Sequence, residues 1–452
     1  MILTKEDLFL ILKTNSIPDY NFENISIDSR TIKKDNIFIA LKGNNQDGNQ
    51  FAKEALDKGA SIAIIDNKDC FIDERTILVL DSLETLKVIG NYVKLKISPK
   101  KIIAITGSLG KTTIKSWLNQ ILNNEFSAFA SIKNYNTIYG LPISLSLMPS
   151  NTDFGIFELG TNSPGEILEL SEYLVADIGV ITNIYESHIG RLGSKEALAK
   201  EKISIIDGLK PNSYLIYDGD SEFQDMIKNE VQSKNIKSIS VGFNNNCDFY
   251  IKEYTKNIIL QTPVGELKYN IAINAKHFAY ISAVVIAVLY ATDCDIYKLL
   301  QYFKSLTALS GRGQTEEFFY NNKKIAVIDD SYNASPTSVL AAIDMLQSNA
   351  NLPKIAVIGQ MKELGCFEEY YHKIVAEKLS ESNLDFIFFI GERKLWKIFS
   401  NICIKNITFF EELNNFTIEQ ILQIMETGSI VLLKGSRCIG LEKFINYLKH
   451  VK

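Results

Sequence analysis

The sequence predicts an α/β protein of three domains. A chain of 452 residues with 46% apolar residues is long enough for several buried cores. Short apolar runs alternate with amphipathic stretches, which is typical of strands and helices in α/β folds. A lysine, Lys111, also lies where a predicted strand leads through a glycine turn into a predicted helix, which is a position where a phosphate would bind. We predict a small α/β domain at 1–97, a central P-loop ATPase-like domain with a parallel sheet at 98–309, and a Rossmann-like doubly wound domain at 310–452.

The composition narrows the classes of partner. A net charge of −5 and a pI near 5.7 argue against a nucleic-acid-binding surface as the main function, so we expect small-molecule partners. The six cysteines are scattered without a C-x-x-C pair and no secretory signal begins the sequence, which predicts reduced thiols in a cytoplasmic protein. The most apolar segment, 278–292, has fifteen residues, fewer than the roughly 20 that span a bilayer, and predicts a buried helix without integral membrane association.

The first domain is predicted from apolar runs with strand character at 36–41, 61–66 and 76–80 and a helical stretch around 51–58. Two polar clusters, 28–30 and 45–48, lie beside these runs. Taken alone, each cluster is more often a turn or a helix cap than a binding site.

The second domain begins with the phosphate-loop segment 101–113. An apolar strand at 102–105 precedes Gly107, and apolar residues at helical spacing follow from Ile114. Backbone N–H groups of such a turn can surround a phosphate, Lys111 adds a positive charge, and the Thr112 hydroxyl suits magnesium. Only two residues separate Gly107 from Gly110, against four in the commonest form. The alternative is an ordinary strand-to-helix turn with a surface lysine.

Further strands of the second domain, predicted at 154–159, 178–184 and 214–217, place two polar side chains near the loop. Glu158 lies at the carboxyl end of one strand and His188 lies four residues beyond the next, where open α/β sheets bind ligands. Alone, Glu158 would be a cap or solvated carboxylate and His188 a structural histidine. Together beside a phosphate loop they predict ligands of a magnesium-phosphate group.

The third domain shows strict alternation of strands and helices, which predicts a doubly wound sheet. Its first strand is followed by Asp-Asp-Ser-Tyr-Asn-Ala-Ser-Pro at 329–336 in place of a G-x-G-x-x-G turn, so the fold does not imply a dinucleotide. The predicted elements are strands 324–329, 355–358, 386–390 and 430–433, helices 338–346 and 368–379, and a last helix.

Taken together, the motifs resemble those of the ATP-dependent Mur ligases of peptidoglycan synthesis. The resemblance covers the whole length of the chain and is greatest to the MurF type. The MurF type is indicated by two motifs together, Asp-Asp-Ser-Tyr-Asn and Lys-Gly-Ser-Arg. The related enzyme that adds the third residue of the peptide would show Asp-Asn-Pro-Arg, and this tetrapeptide is absent from the sequence. The matching segments are 28–30, 47–48, 106–113, 134–142, 158–167, 181–189, 311–312, 329–336, 359–365 with His372, and 434–437.

The resemblance implies a monomeric, ADP-forming ligase that uses ATP and Mg²⁺ to join D-alanyl-D-alanine to UDP-N-acetylmuramoyl-tripeptide in cell wall synthesis. The implied ATP ligands are Gly107, Ser108, Leu109, Gly110, Lys111, Thr112, Thr113, Arg312, Asp330 and Asn333. The implied substrate ligands are Ser29, Arg30 and Asp47 in a uridine-nucleotide-binding first domain, with Asn136, Thr137 and Ser436. The implied catalytic residues are Lys111, Glu158, His188 and Lys202, and the implied metal ligands are Thr112, Glu158, His188 and Lys202, the last as a carbamate.

Some positions of this sequence depart from the family pattern. Phe278 and Ile281 replace two asparagines, the second of which usually touches adenine, while Gln360 and Asn49 replace a usual aspartate and histidine. Lys202 lies on a predicted helical stretch, and the alternative interpretation is that it is a solvated surface lysine.

Two other functions compete with this one. Folylpolyglutamate synthase shares the short phosphate loop but lacks a uridine-binding first domain. A P-loop ATPase switch is the competitor from another class, and the sequence does not distinguish a tripeptide ending in lysine from one ending in diaminopimelate.

Overall fold

The structure is a computed structural model that describes residues 3–13, 22–43, 45–255, 257–273, 275–349, 353–402 and 405–450. Within these ranges the strands form three sheets, of four, nine and six strands, that follow one another along the chain. Helices connect and cover the strands, so the predicted α/β class is confirmed. No helix in the described ranges is long and apolar enough to cross a membrane.

The first sheet is parallel, with its described strands paired in chain order. Its elements are strands β1 (Asn24–Ser26), β2 (Asn36–Ile39), β3 (Ile62–Ile65) and β4 (Thr76–Leu78), and helices α1 (Lys5–Leu12), α2 (Ala52–Asp57) and α3 (Ser82–Ile97). These form the first unit. Sequence reasoning missed α1 and α3, although the buried residues Leu86, Ile89 and Val93 of α3 repeat at helical spacing.

The central sheet has a parallel body and an antiparallel edge. Its strands are β5 (Lys101–Thr106), β6 (Ala128–Ala130), β7 (Phe154–Glu158), β8 (Ala176–Ile181), β9 (Leu209–Asp218), β10 (Lys237–Gly242), β11 (Phe249–Glu253), β12 (Ile258–Thr262) and β13 (Gly265–Tyr269), in the order β13-β12-β11-β10-β9-β8-β5-β7-β6. The predicted parallel sheet is confirmed for the body of this sheet, and at one edge β12 runs antiparallel to both β11 and β13. A tight turn at 263–264 joins β12 to the edge strand β13, and the alternating burial along β12 is typical of a strand with one face buried and the other partly exposed.

The helices of the central unit, which comprises β5 to α11, cover both faces of its sheet. They are α4 (Lys111–Leu122), α5 (Gly140–Ser146), α6 (Glu166–Leu174), α7 (Ile189–Leu192), α8 (Lys195–Ile203), α9 (Gln224–Ser233), α10 (Lys276–Ala291) and α11 (Ile296–Leu299). Most residues of α10 are buried and pack with α4 in one apolar cluster, so the predicted buried helix is confirmed.

The third sheet is doubly wound, as the alternation predicts. Its strands are β14 (Gln314–Tyr320), β15 (Lys323–Asp330), β16 (Lys354–Gly359), β17 (Phe386–Ile390), β18 (Ile407–Phe410) and β19 (Ile430–Lys434), in the order β14-β15-β19-β16-β17-β18. Only β14, among the described strands of this sheet, is antiparallel to its neighbour. The helices of this third unit, β14 to α16, are α12 (Pro336–Gln347), α13 (Glu368–Ser380), α14 (Arg393–Asn401), α15 (Asn415–Ile424) and α16 (Glu442–His450).

The units are joined in two different ways. One apolar cluster contains residues of the first unit, such as Leu86 and Val93, together with Leu141 and Leu174 of the central unit. By contrast, the two apolar clusters of the third unit include, among the described residues, a single residue of the central unit, Ile189. The first and central units therefore share a core, whereas the third unit has its own.

Candidate active site

The loop between β5 and α4 has a backbone that only glycine accommodates easily. Gly107 and Gly110 have φ values of +138° and +83°. A Cβ on Gly107 would lie 1.9 Å from the Thr182 hydroxyl oxygen. The Leu109 N–H donates to Asn183 Oδ1 over 2.8 Å, and Thr182 Oγ1 donates to the Leu109 carbonyl over 2.6 Å. The end of β8 therefore fixes the loop at the start of α4, where helix N–H groups attract anions.

Lys111 is half-buried and lines the cleft above this loop. Its ammonium donates to the carbonyls of Gly107, over 2.6 Å, and Ser108, over 3.4 Å. Desolvation lowers the pKa of Lys111, while the negative charge of Glu158 opposes this shift. The alternative of a surface lysine is wrong, because the side chain holds its charge inside the cleft.

Glu158 is buried at the end of β7 and contacts polar groups of α4 and of the loop before α5. Thr112 Oγ1 donates to its Oε2 over 2.9 Å, and Asn136 Nδ2 donates to its Oε1 over 3.2 Å. The Lys115 ammonium lies 3.6 Å from Oε2. Carboxylate and hydroxyl oxygens are the ligands that Mg²⁺ prefers, and Mg²⁺ usually takes one or two carboxylates plus phosphate oxygens and water. Thr112 and Glu158 therefore fit a magnesium ion that also contacts a phosphate chain.

The described residues contain no cluster of three or more His, Cys, Asp or Glu side chains that could hold a metal without such a phosphate. His188 lines the same cleft, but its Nδ1 lies 2.9 Å from Glu363 Oε2 in the third unit. His188 has a left-handed backbone with φ +64°. Its role as a metal ligand stays a prediction.

Lys202 is 1% exposed and lines the cleft from α8. Burial lowers its pKa to about 7, and the charge of Lys111 adds to this effect. Its neighbour Glu201 points elsewhere, since its carboxylate accepts the N–H groups of Gly165 and Ile167 over 2.6 and 2.9 Å. The alternative of a solvated helix lysine is therefore wrong for Lys202.

The third unit contributes charged groups to the opposite wall. The Lys434 ammonium lies 2.9 Å from Asp330 Oδ2 and donates to the Asn333 carbonyl over 2.7 Å. Burial raises the pKa of Asp330, against the positive charge of Lys434. The Arg312 guanidinium lies over the Tyr332 ring, 4.1 Å from its centroid. Sequence reasoning did not assign Lys434 and Tyr332 to the site, although both lie in motifs that the resemblance singled out.

The predicted substrate ligands fall into two places. Asn136, Thr137 and Ser436 line the cleft, which has a volume of about 1900 Å³ between the central and third units. The remaining three, Ser29, Arg30 and Asp47, are not among its lining residues and lie in the first unit.

The polar groups of these first-unit residues are engaged locally. Ser29 Oγ donates to Glu54 over 3.1 Å, Arg30 pairs with Asp28 over 2.8 Å, and Asp47 accepts the Asn49 N–H over 3.0 Å. Their part in binding substrate stays a prediction.

These features define a class of protein. A glycine loop with Lys111 at the carboxyl edge of a largely parallel sheet, with Thr112 and Glu158 beside it, is the arrangement of a P-loop nucleotide-binding domain. A third unit with its own core supplies Asp330 and Lys434 to the same cleft, and Arg312, just ahead of β14, also lines it.

The particular family follows from comparison with known proteins. Residues 21–104 match the family model described as Mur ligase family, catalytic domain; residues 105–289 match the Mur ligase middle domain; and residues 316–437 match the Mur ligase, glutamate ligase domain. The chain belongs to the Mur ligase family, which confirms the resemblance found in the sequence.

Individual relatives match over almost the whole chain. The UDP-N-acetylmuramoyl-tripeptide–D-alanyl-D-alanine ligase of Rickettsia prowazekii is 30% identical over 456 residues, which cover 99% of this chain and 100% of the relative. A crystal structure of MurF from Acinetobacter baumannii is 25% identical with a TM-score of 0.87 and covers 98% of both chains. MurF from Thermotoga maritima in complex with ADP is also 25% identical, with a TM-score of 0.80 over 96% of this chain and 98% of that one.

Proposed function

We propose that this chain is an ATP-dependent ligase that joins D-alanyl-D-alanine to UDP-N-acetylmuramoyl-tripeptide, in cytoplasmic synthesis of the peptidoglycan precursor. The observation that carries the proposal is similarity along almost the full chain to a ligase named for this reaction, combined with a phosphate-loop cleft. The ADP bound to a structural relative supports an adenine nucleotide as the phosphate donor.

In the first step a carboxylate oxygen of the tripeptide attacks the γ-phosphorus of ATP. A new O–P bond forms, the bond from the γ-phosphorus to the β–γ bridging oxygen breaks, and ADP leaves. Lys111 and the N–H groups of the loop stabilise the charge that spreads over the γ-phosphate oxygens. Thr112 and Glu158 would hold a magnesium ion, which would supply further neutralisation of phosphate charge.

In the second step the amine nitrogen of D-alanyl-D-alanine attacks the acyl carbon of the acyl phosphate. The C–N bond forms, the C–O bond to phosphate breaks, inorganic phosphate leaves and the amine loses a proton. An acyl phosphate hydrolyses if water reaches it, so the third unit must cover the cleft during this step. A hydrogen bond of 2.7 Å from Thr337 Oγ1 of the third unit to Glu186 Oε2 of the central unit connects the two walls of the cleft.

We also propose that Lys202 reacts with carbon dioxide and forms a carbamate. The amine nitrogen bonds to the carbon, one C=O electron pair moves onto an oxygen, and the nitrogen loses a proton to solvent. A buried amine whose pKa is about 7 is about half unprotonated at neutral pH, far more than an ordinary lysine, and only the free amine reacts with carbon dioxide. The carbamate would replace a positive charge beside the phosphate site with a negative one and present two oxygens to a hard cation.

We also propose the remaining finer assignments. The uridine nucleotide would bind through Ser29, Arg30 and Asp47 in a first domain at 1–97, and the peptide part of the substrates would contact Asn136, Thr137 and Ser436. A central domain at 98–309 and a third at 310–452 would enclose ATP, and the enzyme would act as a monomer. The three separate sheets and the position of the cleft support this division.

The test is an assay of phosphate release from ATP with each substrate supplied alone and with both together. Release is expected only when UDP-N-acetylmuramoyl-tripeptide and D-alanyl-D-alanine are both present. Separate assays with tripeptides ending in lysine and in diaminopimelate identify the preferred substrate. Release without either substrate would indicate a P-loop ATPase switch, and release with a folate and glutamate would indicate a folylpolyglutamate synthase.

A further inference from the structure

The loop between β6 and α5 forms a wall of the cleft beside the phosphate loop. Residues 131–137 of this loop, which we call the substrate loop, include Asn136 and Thr137, the proposed contacts for the peptide part of the substrates. Lys133 and Asn134 of the same loop also line the cleft. Residues 131–137 belong to no strand or helix, so other contacts must fix the position of the substrate loop.

A buried lysine of α4 supplies such contacts from inside the protein. Lys115 is 5% exposed, and it is not among the residues that line the cleft. Its ammonium donates to the carbonyls of Ser131, over 2.9 Å, and Lys133, over 2.8 Å. The same ammonium lies 3.6 Å from Glu158 Oε2. An ammonium has three N–H donors, so this one group can bond both carbonyls and still face the carboxylate.

The backbone of the substrate loop needs to be held at this point. Lys133 has a left-handed backbone with φ +47°, which residues other than glycine seldom adopt. Strained backbone of this kind persists only where the surrounding structure holds it in place. The hydrogen bond from Lys115 to the Lys133 carbonyl is a contact that holds it.

Helix α4 connects the substrate loop with the phosphate loop. Lys115 lies four residues after Lys111, about one helical turn, so α4 carries the phosphate contact in its first turn and the loop contact in its second. The alternative interpretation is that Lys115 only compensates the buried charge of Glu158. The distances favour the loop, because the ammonium lies 2.8 and 2.9 Å from the two carbonyls and 3.6 Å from the carboxylate.

We propose that Lys115 is a positioning residue that holds the substrate loop beside the phosphate loop, so that Asn136 and Thr137 meet the tripeptide substrate while its carboxylate lies next to ATP. This assignment rests on the proposed function, since it takes UDP-N-acetylmuramoyl-tripeptide as the ligand of the substrate loop. Loss of Lys115 should therefore weaken the tripeptide far more than the nucleotide, because Lys111, Thr112 and the N–H groups of the phosphate loop stay in place.

The test measures two affinities of Lys115→Met by calorimetry, since methionine keeps a long unbranched side chain without the charge. The affinity for UDP-N-acetylmuramoyl-tripeptide, in the presence of a non-hydrolysable ATP analogue and magnesium, is expected to fall about tenfold, because two hydrogen bonds from a charged donor no longer order the loop before binding. The affinity for the analogue should stay within about threefold of the wild-type value. Amide hydrogen exchange should become faster in residues 131–137 and stay unchanged in residues 107–113.

Lys94→Met is the matched control. Lys94 of α3 is also buried, its ammonium donates to the carbonyls of Tyr173 and Leu174 over 3.1 and 2.9 Å, and it does not line the cleft. The variant loses the same kind of contact at another place, so it should lose stability to chemical denaturation and keep both affinities. An equal loss of tripeptide affinity in Lys94→Met would overturn the proposal, since it would show a general effect of losing a buried lysine.

Two variants of the exposed Lys133 test the same contact while leaving Lys115 in the protein. Lys133→Pro cannot adopt a positive φ, so the carbonyl must leave the Lys115 ammonium. Lys133→Asn tolerates the left-handed conformation and keeps the carbonyl in place. Both variants lose the Lys133 amine, so their difference reports the backbone alone. The affinity for the tripeptide is expected to be about tenfold lower in Lys133→Pro than in Lys133→Asn.

The outcomes separate the positioning role from the function on which it rests. A wild-type protein that does not bind UDP-N-acetylmuramoyl-tripeptide would overturn the proposed function itself. If the wild type binds it, and folded Lys115→Met binds it as tightly, the positioning role is overturned and the function stands. A loss of nucleotide affinity as large as that of tripeptide affinity would also overturn the positioning role. If Lys115→Met does not fold, equal tripeptide affinities of the two Lys133 variants overturn it.

Discussion

The Lys111 ammonium is partly removed from water, and it donates hydrogen bonds to the carbonyls of Gly107 and Ser108. A bound phosphate would give this positive charge a negatively charged partner. We expect Lys111→Ala to lower the rate of ligation by a factor of about 100 or more, because the lost charge stabilises the transition state. Thermal unfolding should change little, since the side chain packs in the cleft wall and not in a core. Phosphate release measures the rate, and Lys53→Ala, at an exposed site on α2, is the control. A folded variant with normal turnover would contradict the proposed role.

Lys202 allows a comparison within one helix. Lys202→Ala is expected to lose most of the activity, and short carboxylates added to the buffer are expected to restore part of it by supplying oxygens in the space left by the side chain. Lys200→Ala, two residues earlier and exposed, should behave as the wild type. Near-normal turnover of Lys202→Ala would show that a carbamate there is dispensable.

At the scale of the element, the phosphate loop depends on the close approach of β5 and β8. Gly107→Ala would require a strained φ of +138° and a Cβ 1.9 Å from Thr182 Oγ1. We expect loss of ATP binding and a destabilisation of about 1–3 kcal/mol, as is usual for local backbone strain. Gly193→Ala, at φ +87° with nothing within 4 Å of its Cβ, isolates the strain from the clash. Chemical denaturation and calorimetry measure the two effects. Equal ATP binding by the two variants would argue against the loop geometry.

Elements differ in how far their sequences reveal them. The strand and helix around Lys111 were predictable because an apolar run, two glycines and a helical repeat coincide locally. Buried and less buried residues alternate along β12 and β13, with Leu260 and Leu267 buried, as in strands. Apolar residues of α3 repeat at helical spacing, so both elements could have been predicted. Helix α3 buries its apolar face against the central unit, and no local feature of the sequence names that partner.

The site was predictable where one element carries the whole signal, as with Thr112 next to Lys111. The pairing of Asp330 with Lys434 depends on β15 and β19 lying side by side, which brings together residues 104 positions apart. The contact between His188 and Glu363 likewise depends on how the third unit meets the central one. Such contacts follow from tertiary topology, and no spacing in the sequence specifies them.

At the scale of the whole molecule, the third unit meets the central unit through polar contacts such as Glu186 with Thr337 and His188 with Glu363. Contacts of this kind break and form at low cost, so the unit can move as a rigid body. We expect the radius of gyration from small-angle scattering to fall when a non-hydrolysable ATP analogue and the tripeptide substrate are both present. The tripeptide alone is the control. An unchanged radius with both ligands would contradict closure.

The core shared by the first and central units has a consequence for building chimeras from members of this family. Leu86 and Val93 of α3 pack in the same cluster as Leu141 and Leu174, so a crossover placed between α3 and β5 would mismatch side chains selected to fit one another. A crossover ahead of β14 would leave both cores of the third unit intact apart from Ile189. Recombination among relatives is therefore expected to preserve the first two units as one block and to exchange the third as a cassette.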